Sequence, residues 1–205
     1  MPPNLKNIFS FLAQAEKLKS VTRYNRTTTG RQESTAEHSW RLTLMVWLLA
    51  GELNLKLDLN KAMKLATIHD LAECLTGDID FVLIKKGKVD KKTKDLNEAK
   101  AMEKIYQNLS PTIAGEIKNL WQQYQTGSTV EGRFVKAVDK LESLTQLIEI
   151  GHKMYDEPEM IANYADEAVE NFPELKPVLK EIKNKLKKEF IKGNFVWKEE
   201  YDNFN

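Results

Sequence analysis

The chain has 205 residues, 41% of them apolar and 30% charged, which fits one well-filled core and leaves little for a second large domain. Thirty-one Lys and Arg against thirty Asp and Glu give a formal charge of +1, so the whole-protein field carries no sign of a nucleic-acid partner and any attraction for anions must be local. One cysteine, Cys74, offers no intramolecular disulfide, and no apolar run reaches the roughly 18 residues of a membrane span. A cytoplasmic protein with no membrane partner is therefore expected.

The opening segment, MPPNLKNIFSFLAQAEK, has neither a basic n-region nor a sustained apolar stretch, so no targeting leader is expected. Apolar positions recur at three- and four-residue spacing almost throughout, and the expected class is an all-α helical bundle forming a single domain over residues 1–205. The first helix is expected from about Leu5 to Lys19, with Leu5, Ile8, Phe9, Leu12 and Ala13 on one face. Residues 20–33 are polar, rich in Thr and Arg, and carry no helical period. Ser34 followed by Glu37 has the form of a capping box and predicts a helix to about Leu53, with His38, Leu42, Met45 and Leu49 inward.

A third helix is expected to begin after Asp58 and stop at the Thr76-Gly77 break, carrying Ala62, Leu65, Ala66 and His69 on one face. Residues 85–94, KKGKVDKKTK, read as a solvated loop whose six lysines would steer anionic ligands if it lay above a site. Helices are expected next at about Asp95 to Leu109, Pro111 to Tyr124 and Val130 to Lys153, with Ser110-Pro111 and Ser128…Glu131 as start signals. Two more, near Glu159 to Phe172 and Leu175 to Ile191, pack on the preceding part, and a cut after Phe172 would strip the core. Met45, Trp47, Met102 and Trp121 fit core stripes, and Trp40 is a candidate pocket wall. No internal repeat or glycine-rich phosphate loop is present.

Only three histidines occur, and two stand beside acids, in Glu37-His38 and His69-Asp70. Successive helical residues point about 100° apart, so His69 and Asp70 share an ion only off the helix flank, with further ligands from other helices. His38 can supply one, and Asp139 in FVKAVDKLESL is the best remaining carboxylate, although spacing alone does not select it. A buried unpaired carboxylate is costly, and a bound cation offsets that cost. Two imidazoles and two carboxylates suit one divalent ion of Mn, Fe, Co, Ni or Zn. His152, after Gly151 at a helix end, reads as structural, so no second metal is expected.

Beside the pair, HDLAECLTGD places Glu73 one turn beyond His69 and Asp78 just after Gly77. Here the sequence resembles the HD-domain metallophosphohydrolases, and within them the 5′-deoxynucleotidases related to HD domain-containing protein 2. LKSVTRYNR, RQESTAEHS, HDLAECLTGD and AVDKLE match that pattern in order, from about Leu18 to Glu142. The resemblance implies an HD-type helical bundle, with His38, His69, Asp70 and Asp139 as ligands of one divalent ion and Glu73 and Asp78 as catalytic carboxylates. It further implies Arg23 near the substrate phosphate, Tyr24 beside the sugar where bacterial relatives often carry tryptophan, a nucleoside 5′-monophosphate substrate, and a homodimer.

In the expected chemistry Glu73 orients or deprotonates the attacking water and Asp78 assists the departing 5′ oxygen, two roles the sequence leaves interchangeable. On the residues alone Arg23 also reads as a surface arginine, Tyr24 as a cap on the first helix, Glu73 as a solvated helix residue and Asp78 as a turn former. Three classes of function stay open: this phosphatase or an HD enzyme on another phosphoester such as guanosine tetraphosphate, a nucleotide-binding sensor without turnover, and a metal-free interaction module.

Overall fold

The Ser34 capping box forms as the sequence requires. Ser34 Oγ accepts from Glu37 N at 3.2 Å, and the Glu37 carboxylate accepts from Ser34 N at 2.8 Å. In the computed structural model, which describes residues 5–202, the helices are α1 (Leu5–Ala15), α2 (Thr35–Glu52), α3 (Leu59–Ile68), α4 (Glu73–Thr76), α5 (Phe81–Lys85) and α6 (Lys91–Tyr106). They continue with α7 (Pro111–Thr126), α8 (Val130–Ile150), α9 (Pro158–Ala162), α10 (Asp166–Glu170) and α11 (Lys176–Lys192). The all-α class holds, with one small addition. The polar stretch before Ser34 is an antiparallel hairpin of β1 (Thr22–Arg26) and β2 (Gln32–Ser34), pairing Thr22 with Ser34 and Arg26 with Gln32.

The hairpin escapes a hydrophobic-period reading because it docks by hydrogen bonds. Asn25 Nδ2 donates to Ser143 O at 3.2 Å and Gln146 Nε2 donates to Arg26 O at 2.6 Å, so its inward face is polar. The expected third helix is broken. After Ile68 the backbone bonds shorten to three-residue steps, Leu71 N to Ile68 O and Glu73 N to Asp70 O, each at 3.0 Å, and His69 Nδ1 lies 2.8 Å from Ala66 O. The tightened turn carries His69 and Asp70 out of the helix and into the interior.

Other boundaries move for local reasons. Asp90 caps α6 by accepting from Thr93 N at 2.9 Å, so Lys91, Lys92 and Lys94 are helical and only 86–90 remains as the connecting loop. Thr129, not Ser128, caps α8, accepting from Gly132 N at 3.1 Å. That helix stops at Ile150 because Gly151 turns with φ +82°. The segment expected as one helix from Glu159 to Phe172 is divided into α9 and α10.

Helix α8 is the central post, buried on almost every side. Its Phe134, Val138, Leu141 and Leu144 meet Leu42 and Val46 of α2, Leu65 of α3, and Leu179, Leu186 and Phe190 of α11 in the main core. A smaller cluster gathers Leu18, Leu71, Cys74, Met102 and Trp121. Two expectations on faces are corrected. On α1, Phe11 and Ala15 turn toward the smaller cluster while Leu5, Phe9 and Leu12 are exposed, and Trp47 on α2 is 53% exposed rather than core. Among the described residues no helix is long and apolar enough to cross a membrane.

Candidate metal centre

Four elements deliver side chains to one buried point against α8. Helix α2 brings His38, fully buried, and the turn after α3 brings His69 and Asp70. Helix α8 brings Asp139. The first strand brings Arg23. His38 Nε2 lies 3.1 Å from Asp139 Oδ1 and 3.9 Å from Asp70 Oδ2, while His69 Nε2 lies 2.9 Å from Asp70 Oδ2. Ligand atoms of His38, His69 and Asp139 fall within 4.8 Å of one another.

The far nitrogens decide the tautomers. His69 Nδ1 faces the Ala66 carbonyl, which only accepts, so that nitrogen bears the ring proton and leaves a lone pair on Nε2. His38 Nδ1 faces the Glu142 carboxylate at 2.5 Å, so that nitrogen too bears a ring proton and Nε2 is the atom turned to the centre, where a proton and a cation compete for it. Both Nε2 atoms are buried and make no well-aligned hydrogen bond although carboxylate oxygens stand at about contact distance. Two imidazole nitrogens and the Asp139 oxygen, with Asp70 Oδ2 alongside at 2.9 Å from His69, are the donor set of a divalent cation, and the residues fit one.

The carboxylates are braced from behind. Asp139 Oδ2 accepts from Tyr124 OH at 3.0 Å and pairs with Lys140 Nζ at 2.9 Å, which leaves Oδ1 for the centre. Burial pushes Asp139 up, but Lys140 and the two histidines hold it well below the usual carboxylate range. Asp70 behaves alike, burial being outweighed by His69, Arg23 and His38. For His38, burial and Arg23 press downward, and Glu142 and Asp139 overcome them to raise it to about 9.

Glu73 is buried, and its Oε2 accepts from Thr35 Oγ1 at 2.9 Å. Burial and the charges of Asp70 and Asp78 push it up to about 9. Asp78 follows Gly77, whose φ of +74° swings the chain out of α4, and burial and Asp70 raise it against the pull of Arg23. Arg23 Nη1 donates to Asp70 Oδ2 and Nη2 to Ser143 Oγ, both at 3.3 Å, and Nε stands 3.8 Å from Glu33 Oε2. Burial opposes its charge, and Asp70, Asp78, Asp139 and Glu73 hold it on.

A cavity of about 330 Å³ opens on the outer side of Arg23, lined also by Tyr24, Asp78, Leu83, Ile150 and Met154. His38, His69, Asp70 and Asp139 do not line it. Arg23, which touches Asp70 and the cavity alike, joins the two. Tyr24 is tied by its hydroxyl, donating to Met154 O at 3.2 Å and accepting from Asp156 N at 3.3 Å, so it walls the cavity rather than capping α1. Trp40 is 65% exposed and borders a different hollow with Lys19, Arg31 and Glu37. His152 Nδ1 pairs with Glu189 at 3.3 Å, a structural contact as expected.

All eight singled-out residues are thus gathered around one centre and its adjoining cavity. Unforeseen are Glu142, Tyr124, Lys140 and Thr35, which hold the others. Glu142, three residues after Asp139 in AVDKLE, lies one turn along the same helix, the only sequence signal that any of these four carried.

Residues 15–186 match the family model described as HD domain. The chain is 28% identical over 181 residues to 5′-deoxynucleotidase HDDC2 of Homo sapiens, covering 86% of this chain and 85% of that protein. It is 32% identical over 160 residues to 5′-deoxynucleotidase hdd1 of Schizosaccharomyces pombe, covering 75% and 77%. Among solved structures, a predicted metal-dependent phosphohydrolase from Magnetospirillum magnetotacticum MS-1 superposes with a TM-score of 0.78 at 26% identity, over 97% of this chain and 100% of that one.

Proposed function

The chain belongs to the HD-domain family, and on that footing we propose that it is a metal-dependent phosphomonoesterase, a 5′-deoxynucleotidase releasing phosphate from deoxynucleoside 5′-monophosphates. Relatives named 5′-deoxynucleotidase over most of the chain support a nucleotide substrate. The observation that carries the reading is the pair of buried imidazole nitrogens without well-aligned hydrogen bonds, facing Asp70 and Asp139.

In this reading His38, His69, Asp70 and Asp139 hold one divalent ion. When bound, such an ion supplies Lewis-acid activation of water and neutralises charge on phosphoryl oxygens. Glu73, anchored by Thr35, takes the proton of the attacking water; positive charge held at Asp70 would offset part of the repulsion that raises Glu73 and favour its basic form. Asp78, on the cavity side, gives a proton to the departing 5′ oxygen. Arg23 has donors to spare beyond Asp70 and Ser143, and these fork the phosphate while Tyr24 walls the sugar.

Residues 1–205 act as one HD domain in this proposal, supported by the α11 side chains that share the core with α8. A cytoplasmic setting is supported by the free, buried Cys74. The homodimer belongs to the same proposal, with the exposed Trp40, Trp47 and Leu48 of α2 as its candidate face.

Phosphate release from a panel of deoxy- and ribonucleoside monophosphates, with Mn or Co added, tests the function. Turnover lost in Asp70→Ala is expected. Nucleotide binding without release would make the protein a sensor, and release confined to another phosphoester would move it to a different HD activity.

A further inference from the structure

We infer that Glu142 is a positioning residue for the cation site, holding the His38 ring so that Nε2 faces Asp139 and His69. The inference rests on the four-ligand reading above. Neither the Glu142 nor the His38 side chain is exposed, and their contact, Oε2 to Nδ1 at 2.5 Å, joins α8 to α2. The other carboxylate oxygen makes no hydrogen bond, yet Arg41 Nε stands 3.6 Å away. Arg41 is itself fixed by Gln146 and by Glu149 at 2.7 Å. A fully buried carboxylate is costly unless its charge is used. Here one oxygen fixes an imidazole and a guanidinium balances the charge.

The second histidine shows what is special about the first. His69 Nδ1 meets only a backbone carbonyl, at 2.8 Å, whereas His38 Nδ1 meets a carboxylate. A carboxylate behind an imidazole fixes its tautomer and makes its near nitrogen the better donor. His38 is therefore the stronger ligand of the pair, and Glu142 makes it so. Glu33, His38 and Glu142 also bring their polar atoms within 4.8 Å of one another, a grouping that would pass for a second cation site. Arg23 at 3.8 Å from Glu33 and Arg41 at 3.6 Å from Glu142 already neutralise these acids, which assigns them to support rather than to a second ion.

The test is Mn²⁺ titration of the full metal-free chain by calorimetry, with no substrate present, alongside the visible spectrum of the Co²⁺ form. Glu142→Gln keeps the shape and an acceptor for Nδ1–H but loses the charge, and is expected to weaken Mn²⁺ binding about 10- to 100-fold and shift the Co²⁺ bands. Glu142→Asp, which restores the charge, is expected to recover part of the affinity, and Arg41→Gln to lose about threefold or more. Affinities of Glu142→Gln and Arg41→Gln within about twofold of the parent overturn the inference. Should Glu142→Gln fail to fold, the partly exposed Arg41 decides by the same measure. A parent chain that binds no Mn²⁺ overturns the four-ligand reading and this inference together, whereas a binding parent with unchanged variants overturns this inference alone.

Discussion

His38 carries two opposed demands at one atom. In the metal-free protein a proton occupies Nε2, because burial and Arg23 are outweighed by Glu142 and Asp139 and the group is raised to about 9, against about 6.5 for free imidazole. A raised value means that the stability from this proton is complete below about pH 6.5 and lost as pH climbs through 9. Glu73, raised to about 9 by burial and its acidic neighbours, acts in the same direction from its own unfolded value upward. A cation must displace the His38 proton, so its affinity rises by up to about tenfold per pH unit over that window. Melting curves at pH 6.5 and 8.5 check this: the metal-free protein is expected to melt lower at 8.5 while Mn²⁺ raises Tm more there, and a Mn²⁺ gain that shrinks with pH contradicts it. At the neighbouring residues, Glu73→Gln is expected to lower kcat about 10²- to 10⁴-fold with Mn²⁺ affinity little changed, and Arg23→Lys to raise KM, because a lysine cannot replace the planar fork. Steady-state kinetics of both read these out, and an unchanged KM in Arg23→Lys counts against its role. At this scale the sequence was informative where residues are scarce: three histidines made His38 and His69 visible, and HDLAECLTGD made Asp70, Glu73 and Asp78 so. Asp139 came through family likeness, since nothing in its spacing separates it from other helical acids. Tyr124, Thr35 and Lys140 left no signal, because a supporting contact depends on which helices meet and not on any local pattern.

The elements were legible where local chemistry and hydrophobic period agree. The Ser34 capping box and the Asp58 and Ser110 caps mark helix starts that the structure keeps. The hairpin of β1 and β2 was not legible, because its inward Asn25 meets α8 through polar contacts and breaks the alternation on which strands are read. Nor was the break after Ile68, where tertiary demand for His69 and Asp70 at the centre overrides a helical pattern that continues to Thr76. Two glycines test the element-level account. Gly77 has φ +74° with open space where a Cβ would stand, so Gly77→Ala strains only the backbone; about 1–3 kcal/mol of stability and a fall in kcat through misplaced Asp78 are expected. At Gly132 a Cβ would meet the Gln123 carbonyl oxygen at 2.5 Å, so Gly132→Ala forces α7 and α8 apart at a cost of about 1–3 kcal/mol. Urea unfolding of both and kinetics of each separate the effects. A Gly132→Ala protein as stable as the parent would contradict the packing described.

The molecule as a whole is organised around α8, which joins the core to the site. Its Val138 and Leu141 are in the main core while Asp139 and Glu142, between and beside them, face the histidines. Helix α11 completes that core with Leu179, Leu186 and Phe190, and Tyr201 closes over it. Truncation after Phe172 removes all four, and the expected product shows no cooperative thermal transition by circular dichroism; a sharp transition would contradict a core that depends on the last helix. The bundle class was readable from the three- and four-residue period, but the docking of α11 against α8 was not, since pairing between distant helices has no local signature. Cation binding to the native state alone stabilises the whole fold by mass action. The claim beneath all of this is that four side chains from three parts of the chain hold one divalent ion. Calorimetric titration of Mn²⁺ into the metal-free protein measures it directly. The account predicts one ion per chain, with the binding heat abolished in Asp139→Asn. A parent protein that takes up no stoichiometric ion, or an Asp139→Asn protein that binds as the parent does, would contradict it.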